Sequence, residues 1–247
     1  MIKLILLRHG ESQWNLENRF TGWKDVSLTS TGIVEATFSG KQLTKMNIPI
    51  KSVYTSLLNR AVETTNIVTD IIKFPKKEIQ YEWRLNERHY GALQGLNKSE
   101  TAIKYGEDQV HIWRRSYDIP PPLLDHDDRR HPKFNQKFKK IDGDLPVGES
   151  LKNVISRLNP FWKDYATNLK EVGGNHLIVA HSNSLRAIVK MLDQLTDKEI
   201  ISINIPTGVP LVYTLDNSLS VIDKKYLTSK KDLKAKQTII KDQGKAR

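Results

Sequence analysis

The amino-acid sequence predicts an α/β protein built as a single domain around a mostly parallel sheet. Apolar runs of strand length alternate along the chain with segments whose apolar residues recur at helical spacing, the order typical of α/β folds. Two of the apolar runs, at residues 4–7 and 177–180, are followed closely by a histidine before a turn. No change in composition marks a linker in the 247 residues, a length that supports one sizeable core. We therefore expect one three-layer α/β/α domain over residues 1–247.

The predicted elements follow one another in a regular order. Strands are predicted over residues 3–8, 51–55, 79–83 and 176–181, with a closing pair over residues 211–215 and 221–227. Helices are predicted over residues 32–46, 60–72, 151–169 and 185–192, where apolar residues share one helical face. The segment between residues 15 and 31 is rich in Asn, Thr, Gly and Asp, which predicts a loop.

Residues 97–146 differ in amino-acid composition from the rest of the chain. They contain Pro120-Pro121-Pro122 and the charged run Asp127-Asp128-Arg129-Arg130, and they have few apolar runs. Long insertions in α/β folds commonly serve as lids, so we predict a lid-like insertion carried on the sheet and not a second domain. We interpret the stretch from His126 to His131 as an exposed charged loop and expect no metal site.

Composition excludes several classes of protein. The chain has no cysteine, which rules out disulfides, thiolate nucleophiles, zinc–cysteine sites and iron–sulfur clusters. No apolar stretch approaches the length needed to cross a bilayer, and the run at residues 4–7 is too short for a signal peptide. We therefore expect a cytoplasmic protein without a membrane partner.

Much of the formal net charge of +11 lies near the C-terminus. Residues 223–247 contain nine basic and three acidic residues, a net charge of +6. The lysine-rich end, a tail at about residues 228–247, fits a solvated and partly ordered terminus, and it also fits a role in attracting phosphate. It carries no aromatic RNA-binding motif, so we expect no nucleic-acid partner.

His9, beside Arg8 at the end of the first predicted strand, is a candidate nucleophile. A neutral imidazole nitrogen can accept a phosphoryl group while arginines neutralise its oxygens, although a packed or surface histidine fits the same pattern. His181 ends a second strand and begins a helix, where free amides and the helix dipole favour an anion. Because open α/β sheets bind ligands at the carboxyl ends of their strands, we expect both imidazoles in one crevice.

Three other charged segments are ambiguous by themselves. Arg60 opens a predicted helix and is either a phosphate ligand or a solvent-exposed side chain. The run Glu87-Arg88-His89-Tyr90 suits proton transfer and anion binding, and equally suits a charged turn. The pair Arg114-Arg115 lies on a helix, where a solvated face is the simplest interpretation.

Several longer motifs resemble known proteins. The segment Leu7-Arg8-His9-Gly10-Glu11-Ser12, with Ala180-His181 downstream, resembles the histidine phosphatase superfamily. A larger set of segments resembles the cofactor-dependent phosphoglycerate mutases and covers essentially the whole chain: Phe20-Thr21-Gly22-Trp23, Leu85-Asn86-Glu87-Arg88-His89-Tyr90-Gly91, Leu93-Gln94-Gly95-Leu96-Asn97-Lys98, Trp113-Arg114-Arg115-Ser116-Tyr117 and Asn204-Ile205-Pro206-Thr207-Gly208-Val209-Pro210. This set is more specific than the Arg-His-Gly motif, which phosphatases share.

The resemblance implies that His9 carries a phosphoryl group between the 2- and 3-positions of glycerate, primed by 2,3-bisphosphoglycerate and without a metal. Glu87 matches the family's general acid and base. His181 matches the residue that stabilises charge on the phosphoryl oxygens, and Arg8 and Arg60 match the arginines that clamp them. Residues that match the family's substrate-binding positions are Ser12, Asn15, Thr21, Gly22, Arg88, Tyr90, Lys98, Arg114, Arg115, Ser182 and Asn183. The resemblance also implies a homodimer or homotetramer.

The chain departs from the family pattern where relatives place glycine after the second histidine. It has Ser182 there, which we expect to crowd the site or to demand a backbone angle that serine disfavours. Ser12 is typical of the mutases, whereas relatives that synthesise the bisphosphate tend to carry glycine. Three alternatives to a mutase stay open: a phosphatase of the same superfamily, a bisphosphoglycerate synthase, and a degenerate member that binds nucleic acid through its basic tail.

Overall fold

The computed structural model describes residues 1–246, so Arg247, the last basic residue of the predicted tail, lies outside the described residues. The strands are β1 (Ile2–Arg8), β2 (Ile50–Thr55), β3 (Ile79–Tyr81), β4 (Gly174–Ala180), β5 (Leu211–Leu215) and β6 (Val221–Tyr226). The helices are α1 (Gln13–Leu16), α2 (Ser30–Lys45), α3 (Asn59–Ile72), α4 (Lys98–Tyr105), α5 (Glu107–Arg115), α6 (Leu151–Val172), α7 (Ser182–Leu192), α8 (Glu199–Ser202) and α9 (Lys230–Asp242). The predicted α/β class is confirmed.

The strands form one sheet in the order β3-β2-β4-β1-β5-β6. β3, β2, β4 and β1 are mutually parallel, while β5 pairs antiparallel with both β1 and β6. The carboxyl ends of β1 and β4 are in register, with Arg8 opposite Ala180. His9 and His181, which follow these two strands, therefore start from neighbouring positions at one edge of the sheet.

Two apolar layers lie on opposite faces of the sheet. In β1, Leu4 and Leu6 pack into the core formed with α6 and α7, whereas Ile5 and Leu7 pack into the core formed with α2 and α3. This alternation follows from the two-residue period of a strand. Because α2 follows β1 on one face and α7 follows β4 on the other, a crevice opens between the two strand ends.

Local capping sets helix bounds that periodicity predicts less well. α2 begins at Ser30, two residues before its predicted start, because the side chain of Thr29 accepts a hydrogen bond from the Gly32 amide at 3.0 Å. α6 continues beyond its predicted end to Val172. It stops there because Gly173 adopts a φ of 55°, a conformation that glycine tolerates.

The insertion and the basic tail both contain ordered structure. The predicted insertion at residues 97–146 folds into α4 and α5, followed by the short 3₁₀ turns Pro132–Phe134 and Gln136–Phe138. Most of the described tail is α9, whose Ile240 is buried. Within residues 1–246, no helix combines the length and the apolar character needed to cross a membrane.

Candidate active site

The two histidines that follow β1 and β4 lie side by side at the carboxyl edge of the sheet. The backbone N–H of His9 donates to the carbonyl of Ala180 at 3.0 Å and so extends the pairing of the strands. The ring centroids of His9 and His181 are 4.9 Å apart, and both side chains are buried. The two imidazoles therefore lie together at this edge of the sheet, as expected.

His9 is held as a neutral imidazole with one unprotonated nitrogen. Its Nδ1 lies 2.7 Å from the carbonyl of Gly10, an acceptor that requires the proton on Nδ1. Nε2 accepts a hydrogen bond from Nε of Arg60 at 3.2 Å and therefore has no proton. Burial, with Arg60 and Arg8 nearby, holds the pKa of His9 well below its ordinary value. An unprotonated Nε2 is the form that a nucleophile needs.

His181 has one ring nitrogen in a hydrogen bond and one without a partner in the described residues. Its Nε2 forms a 2.7 Å hydrogen bond with Oγ of Ser56, while its Nδ1 is buried without a hydrogen-bond partner among residues 1–246. Burial, followed by the charges of Arg60 and the proximity of His9, keeps the pKa of His181 well below its ordinary value. A buried polar nitrogen without a partner is costly, and a ligand oxygen would satisfy it.

Glu87 presents two unequal carboxylate oxygens. Its Oε1 accepts hydrogen bonds from the Arg88 amide at 2.7 Å, from the Asn183 amide at 3.1 Å and from Nδ2 of Asn183 at 2.9 Å. All three donors converge on Oε1, which leaves Oε2 to exchange a proton with a ligand hydroxyl. The carboxyl group also lines the cavity described below.

The loop that carries Glu87 is fixed from behind by a buried ion pair. Arg157 on α6 donates to the carbonyls of Asn86 at 2.9 Å and Glu87 at 3.0 Å. Glu149 pairs with Arg157 at 2.6 Å and accepts a hydrogen bond from the His89 amide at 2.8 Å. The position of the carboxyl group is therefore set by the helix layer and not by the loop alone.

A small cavity joins these groups, and its wall is strongly cationic. The side chains that line it are Arg8, His9, Asn15, Arg19, Thr21, Arg60, Glu87, Tyr90, Lys98, Arg114, Arg115, Ser182, Asn183, Ile240 and Gln243. Burial lowers the pKa of Arg60 to about 10 and that of Arg114 to about 9, and it lowers the pKa of Lys98 well below its usual range. Neighbouring arginines add to each of these shifts. Crowded cations of this kind favour a bound polyanion.

Comparison with known proteins agrees with this geometry. Residues 4–126 and 123–223 match the model of the histidine phosphatase superfamily (branch 1). This chain belongs to the histidine phosphatase superfamily.

Solved structures show the shared fold at low sequence identity. A mycobacterial glucosyl-3-phosphoglycerate phosphatase is 20% identical with a TM-score of 0.67, covering 91% of this chain and 96% of that one. A putative alpha-ribazole-5'-P phosphatase from Escherichia coli is 18% identical with a TM-score of 0.67, covering 93% and 98%. Bacillus stearothermophilus YhfR is 23% identical with a TM-score of 0.65, covering 89% and 93%.

In this histidine phosphatase superfamily member, most of the residues singled out from the sequence lie in the cavity wall. Four lie behind it: His181 beside His9, and Ser12, Gly22 and Arg88. Ser12 is buried and donates through Oγ to Oδ1 of Asn15 at 2.9 Å. The carbonyl of Gly22 accepts from Arg60 at 2.9 Å, and the Arg88 guanidinium lies over the Tyr90 ring, 4.6 Å from its centroid. Ser12, Gly22 and Arg88 thus contact Asn15, Arg60 and Tyr90, respectively, and orient these three residues of the cavity wall.

Ser182 occupies the first position of α7 and lines the cavity. It is not among the residues with positive φ, so the backbone here does not require glycine. The expected backbone penalty of serine is therefore wrong, because a helix N-terminus accepts any residue with ordinary helical angles.

The tail of this superfamily member closes one side of the cavity. Arg114 donates to the carbonyl of Ile240 at 3.4 Å, and Nζ of Lys98 donates to Oε1 of Gln243 at 3.3 Å. Lys236 forms an ion pair with Glu35 of α2, which ties α9 to the body of the protein. The cavity wall is thus shared between the predicted insertion, which contributes Lys98, Arg114 and Arg115, and the tail, which contributes Ile240 and Gln243. The lid function of the insertion stays a prediction.

Sequence reasoning missed Arg19, Ile240 and Gln243 in the wall, together with the residues behind it, Ser56, Arg157 and Arg186. Their neighbours in sequence carry no signal of this role. The sequence pattern indicates periodicity and turns, whereas these residues reach the site only through tertiary contacts.

The predicted metal-free character stays a prediction; among residues 1–246 no group of three or more His, Asp or Glu side chains is arranged to hold a metal ion.

Proposed function

We propose that the protein is a 2,3-bisphosphoglycerate-dependent phosphoglycerate mutase. The observation that carries the proposal is one nucleophile and one proton carrier, His9 and Glu87, enclosed in a single cavity with six cationic side chains: Arg8, Arg19, Arg60, Lys98, Arg114 and Arg115. A phosphoglycerate presents a carboxylate and a phosphate, and two phosphates with one carboxylate carry about four to five negative charges at neutral pH. This number of cations suits such a ligand and exceeds what one phosphate needs.

Each group has a part in the proposed transfer. Nε2 of His9 attacks phosphorus, while Nδ1 keeps its proton and donates it in a hydrogen bond to the Gly10 carbonyl, which keeps the ring oriented. Arg8 and Arg60 contact the phosphoryl oxygens as charge develops on them, and the ring of His181, 4.9 Å from that of His9, supports this stabilisation from behind the cavity wall. Oε2 of Glu87 gives a proton to the departing hydroxyl oxygen and takes one from the attacking hydroxyl.

The residues present fit a bisphosphorylated glycerate. Nε of Arg8 and Nδ1 of His181 are buried without hydrogen-bond partners in the described part of the chain, as expected of atoms that await a ligand. When bound, 2,3-bisphosphoglycerate supplies the phosphoryl group with which His9 is loaded. Arg114 and Arg115, which also line the cavity, hold the second anionic group in this proposal.

Exclusion of water supports a mutase. A phosphoryl group on His9 transfers to a glycerate hydroxyl only if water does not reach it first. Ile240 and Gln243 of the tail cover the cavity, and the ion pair between Lys236 and Glu35 holds them there. A lid of this kind is more useful to a transferase than to a hydrolase.

A histidine phosphatase is the alternative, and two observations favour it. Two of the three structural relatives named above are phosphatases by name, and Ser182 lines the cavity, where a hydroxyl group can hold a water molecule. A bisphosphoglycerate synthase or phosphatase side activity uses the same His9 and Glu87. Ser12, which orients Asn15, is the residue on which the resemblance separates mutase from synthase.

The test is conversion of 3-phosphoglycerate by the purified protein, with and without catalytic 2,3-bisphosphoglycerate, beside the His9→Ala variant. The proposal expects 2-phosphoglycerate that depends on the bisphosphate and disappears in the variant. Release of inorganic phosphate without isomerisation would establish the phosphatase. If neither 2-phosphoglycerate nor inorganic phosphate forms, the protein is not a phosphoglycerate mutase, and the proposal is wrong.

The proposal extends to location and assembly. We propose a cytoplasmic enzyme that acts on small phosphoglycerates, forms a homodimer or homotetramer, and has no nucleic-acid or membrane partner. Light scattering of the purified protein measures the assembly. Salt-sensitive retention of DNA or RNA in a filter-binding assay would contradict the part that concerns nucleic acid.

A further inference from the structure

Arg186 is a buried arginine whose hydrogen bonds go to uncharged acceptors. It lies on α7 with 1% of its surface exposed. Nη1 donates to Oδ1 of Asn183 at 2.9 Å, and Nη2 donates to the carbonyl of Ile200 at 2.7 Å. Burial, with Arg115 and Arg88 nearby, lowers its pKa to about 9. Burying a charge in this way is expensive, so stability alone does not account for it.

The first of these bonds decides which way the Asn183 amide faces. Oδ1 faces Arg186, and Nδ2 faces Oε1 of Glu87 at 2.9 Å. If the amide were reversed, its NH₂ group would face the guanidinium donor and its oxygen would face the carboxylate. Both contacts would be repulsive, so Arg186 permits one orientation only.

The orientation of the amide in turn decides which carboxylate oxygen is occupied. With Nδ2 of Asn183 in place, Oε1 of Glu87 accepts three hydrogen bonds, two of them from backbone amides. A carboxylate oxygen that already accepts three donors does not take up a proton readily. Proton exchange is then confined to Oε2.

We propose that Arg186 is a positioning residue that, through Asn183, confines proton transfer to Oε2 of Glu87. This inference rests on the proposed function, specifically on the role of Glu87 as acid and base. Arg186 is not among the residues that line the cavity, and in this inference it acts by holding the amide; its charge also interacts with that of Glu87, which the double-mutant cycle below separates from positioning. Its bond to Ile200 ties α7 to α8 and offers a purely structural alternative, which the experiment has to separate.

The experiment is a double-mutant cycle between Arg186→Met and Asn183→Ala. The matched control is Lys190→Met, which removes a cation from the next turn of α7, where Lys190 pairs with Asp197 at 2.9 Å. For Arg186→Met we expect kcat to fall roughly 10- to 100-fold while KM changes less than about threefold. We also expect the acidic limb of the kcat profile to move to higher pH, because the carboxylate loses an oriented donor. Arg186→Lys keeps the charge and one donor and should recover part of kcat.

The cycle distinguishes positioning from structure. If Arg186 acts through Asn183, Arg186→Met costs little further activity in the Asn183→Ala background. Additive losses, an unmoved pH profile, or a loss equal to that of Lys190→Met would overturn the inference. Thermal melting of every variant shows whether it is folded.

The outcome is separable from that of the proposed function. If the natural protein isomerises phosphoglycerate and Arg186→Met behaves like the control, the inference fails while the mutase stands. If the natural protein only releases phosphate, the mutase fails. The same cycle is then measured on phosphate release, where Glu87 still protonates the leaving oxygen.

Discussion

Two buried regions of this protein use burial in opposite ways. The core between the sheet and helices α6 and α7 packs apolar side chains such as Leu6 and Ile188 against each other. The cavity at the carboxyl edge of the same sheet packs Arg8, Arg60 and Lys98 near one another, with Glu87 as the carboxylate in its wall. Removing water stabilises the first region and raises the energy of the second.

The contrast explains why the cavity can exist at all. The cost of crowding buried cations and of leaving Nδ1 of His181 without a partner is offset by the apolar layers on both faces of the sheet. Functional sites commonly hold such unfavourable arrangements within a stable frame. The cavity therefore depends on the apolar layers for its stability.

The strongest test of this contrast compares the truncation of one cavity residue, His9, with that of one core residue, Leu6. We expect His9→Ala to lower turnover by roughly 10,000-fold or more while leaving the unfolding free energy nearly unchanged. We expect Leu6→Ala, at the same strand, to cost about 2 to 5 kcal/mol of stability through a cavity while the folded fraction keeps its turnover. Urea denaturation and steady-state kinetics of both variants check this; a large stability loss in His9→Ala would contradict it.

Removing one cation from the cavity should weaken ligand binding without weakening the fold. For Arg115→Met we expect affinity for 2,3-bisphosphoglycerate to fall by about 10- to 100-fold, since a charge-assisted contact of roughly 1.5 to 3 kcal/mol is lost. The melting temperature of the free protein should stay the same or rise, because repulsion is relieved. Thermal melts over a ligand titration measure both effects.

The exposed Arg129 is the matched control for this variant. Arg129→Met removes the same charge from the surface of the insertion and should leave affinity within about twofold. Equal weakening in both variants would mean that overall charge, and not the cavity wall, governs binding.

Acid should destabilise the protein through its buried neutral histidines. Burial, with His131 and Arg157 nearby, lowers the pKa of His89 to about 3, and the pKa values of His9 and His181 are also well below the ordinary value. The unfolded chain therefore binds more protons, so stability present above pH 6.5 is lost as the pH falls toward the folded-state values. Each such histidine contributes about 1.4 kcal/mol per pH unit within that window.

Urea midpoints at several pH values between 7 and 5 measure this slope. The control variant is His126→Gln, at an exposed histidine. His89→Gln should make it shallower by removing one buried imidazole. A slope that is the same in both variants would show that His89 is not held neutral in the folded protein.

The smallest expected effect concerns Ser182. Removing its hydroxyl with Ser182→Gly should lower phosphate release relative to isomerisation by about two- to fivefold, because one hydrogen-bond partner for water is lost at roughly 0.5 to 1 kcal/mol. The backbone has no need of the change, since Ser182 already has ordinary helical angles. Both products are measured in one reaction; an unchanged ratio would mean that Ser182 holds no water.

The strands that precede His9 and His181 can be predicted from the sequence, because an apolar run and the residue that follows it are neighbours along the chain. The register that brings these histidines together follows from the rule that parallel strands end at one edge. Helix ends are less readable, since Thr29 moves the start of α2 through a side-chain bond that periodicity does not register. The resemblance adds Glu87, Lys98 and the arginine pair, which periodicity left ambiguous.

Side-chain contacts between residues that are distant in sequence cannot be predicted in this way. Arg157 supports the Glu87 loop from a position 71 residues away from Asn86, and hydrogen bonds link Arg186 to Glu87 through Asn183. The covering of the cavity by Ile240 likewise depends on how α9 docks. None of these side chains lies in a pattern that differs from ordinary helix residues.

Fold class, the order of elements and the position of His9 as candidate nucleophile thus follow from local chemistry along the chain. The protonation of His9, the choice between the oxygens of Glu87 and the enclosure of the cavity depend on three-dimensional packing. The physical reason is distance: hydrophobic period and turn chemistry act over a few residues, whereas a pKa and a hydrogen-bond direction are set by whichever charges the fold brings within a few ångströms.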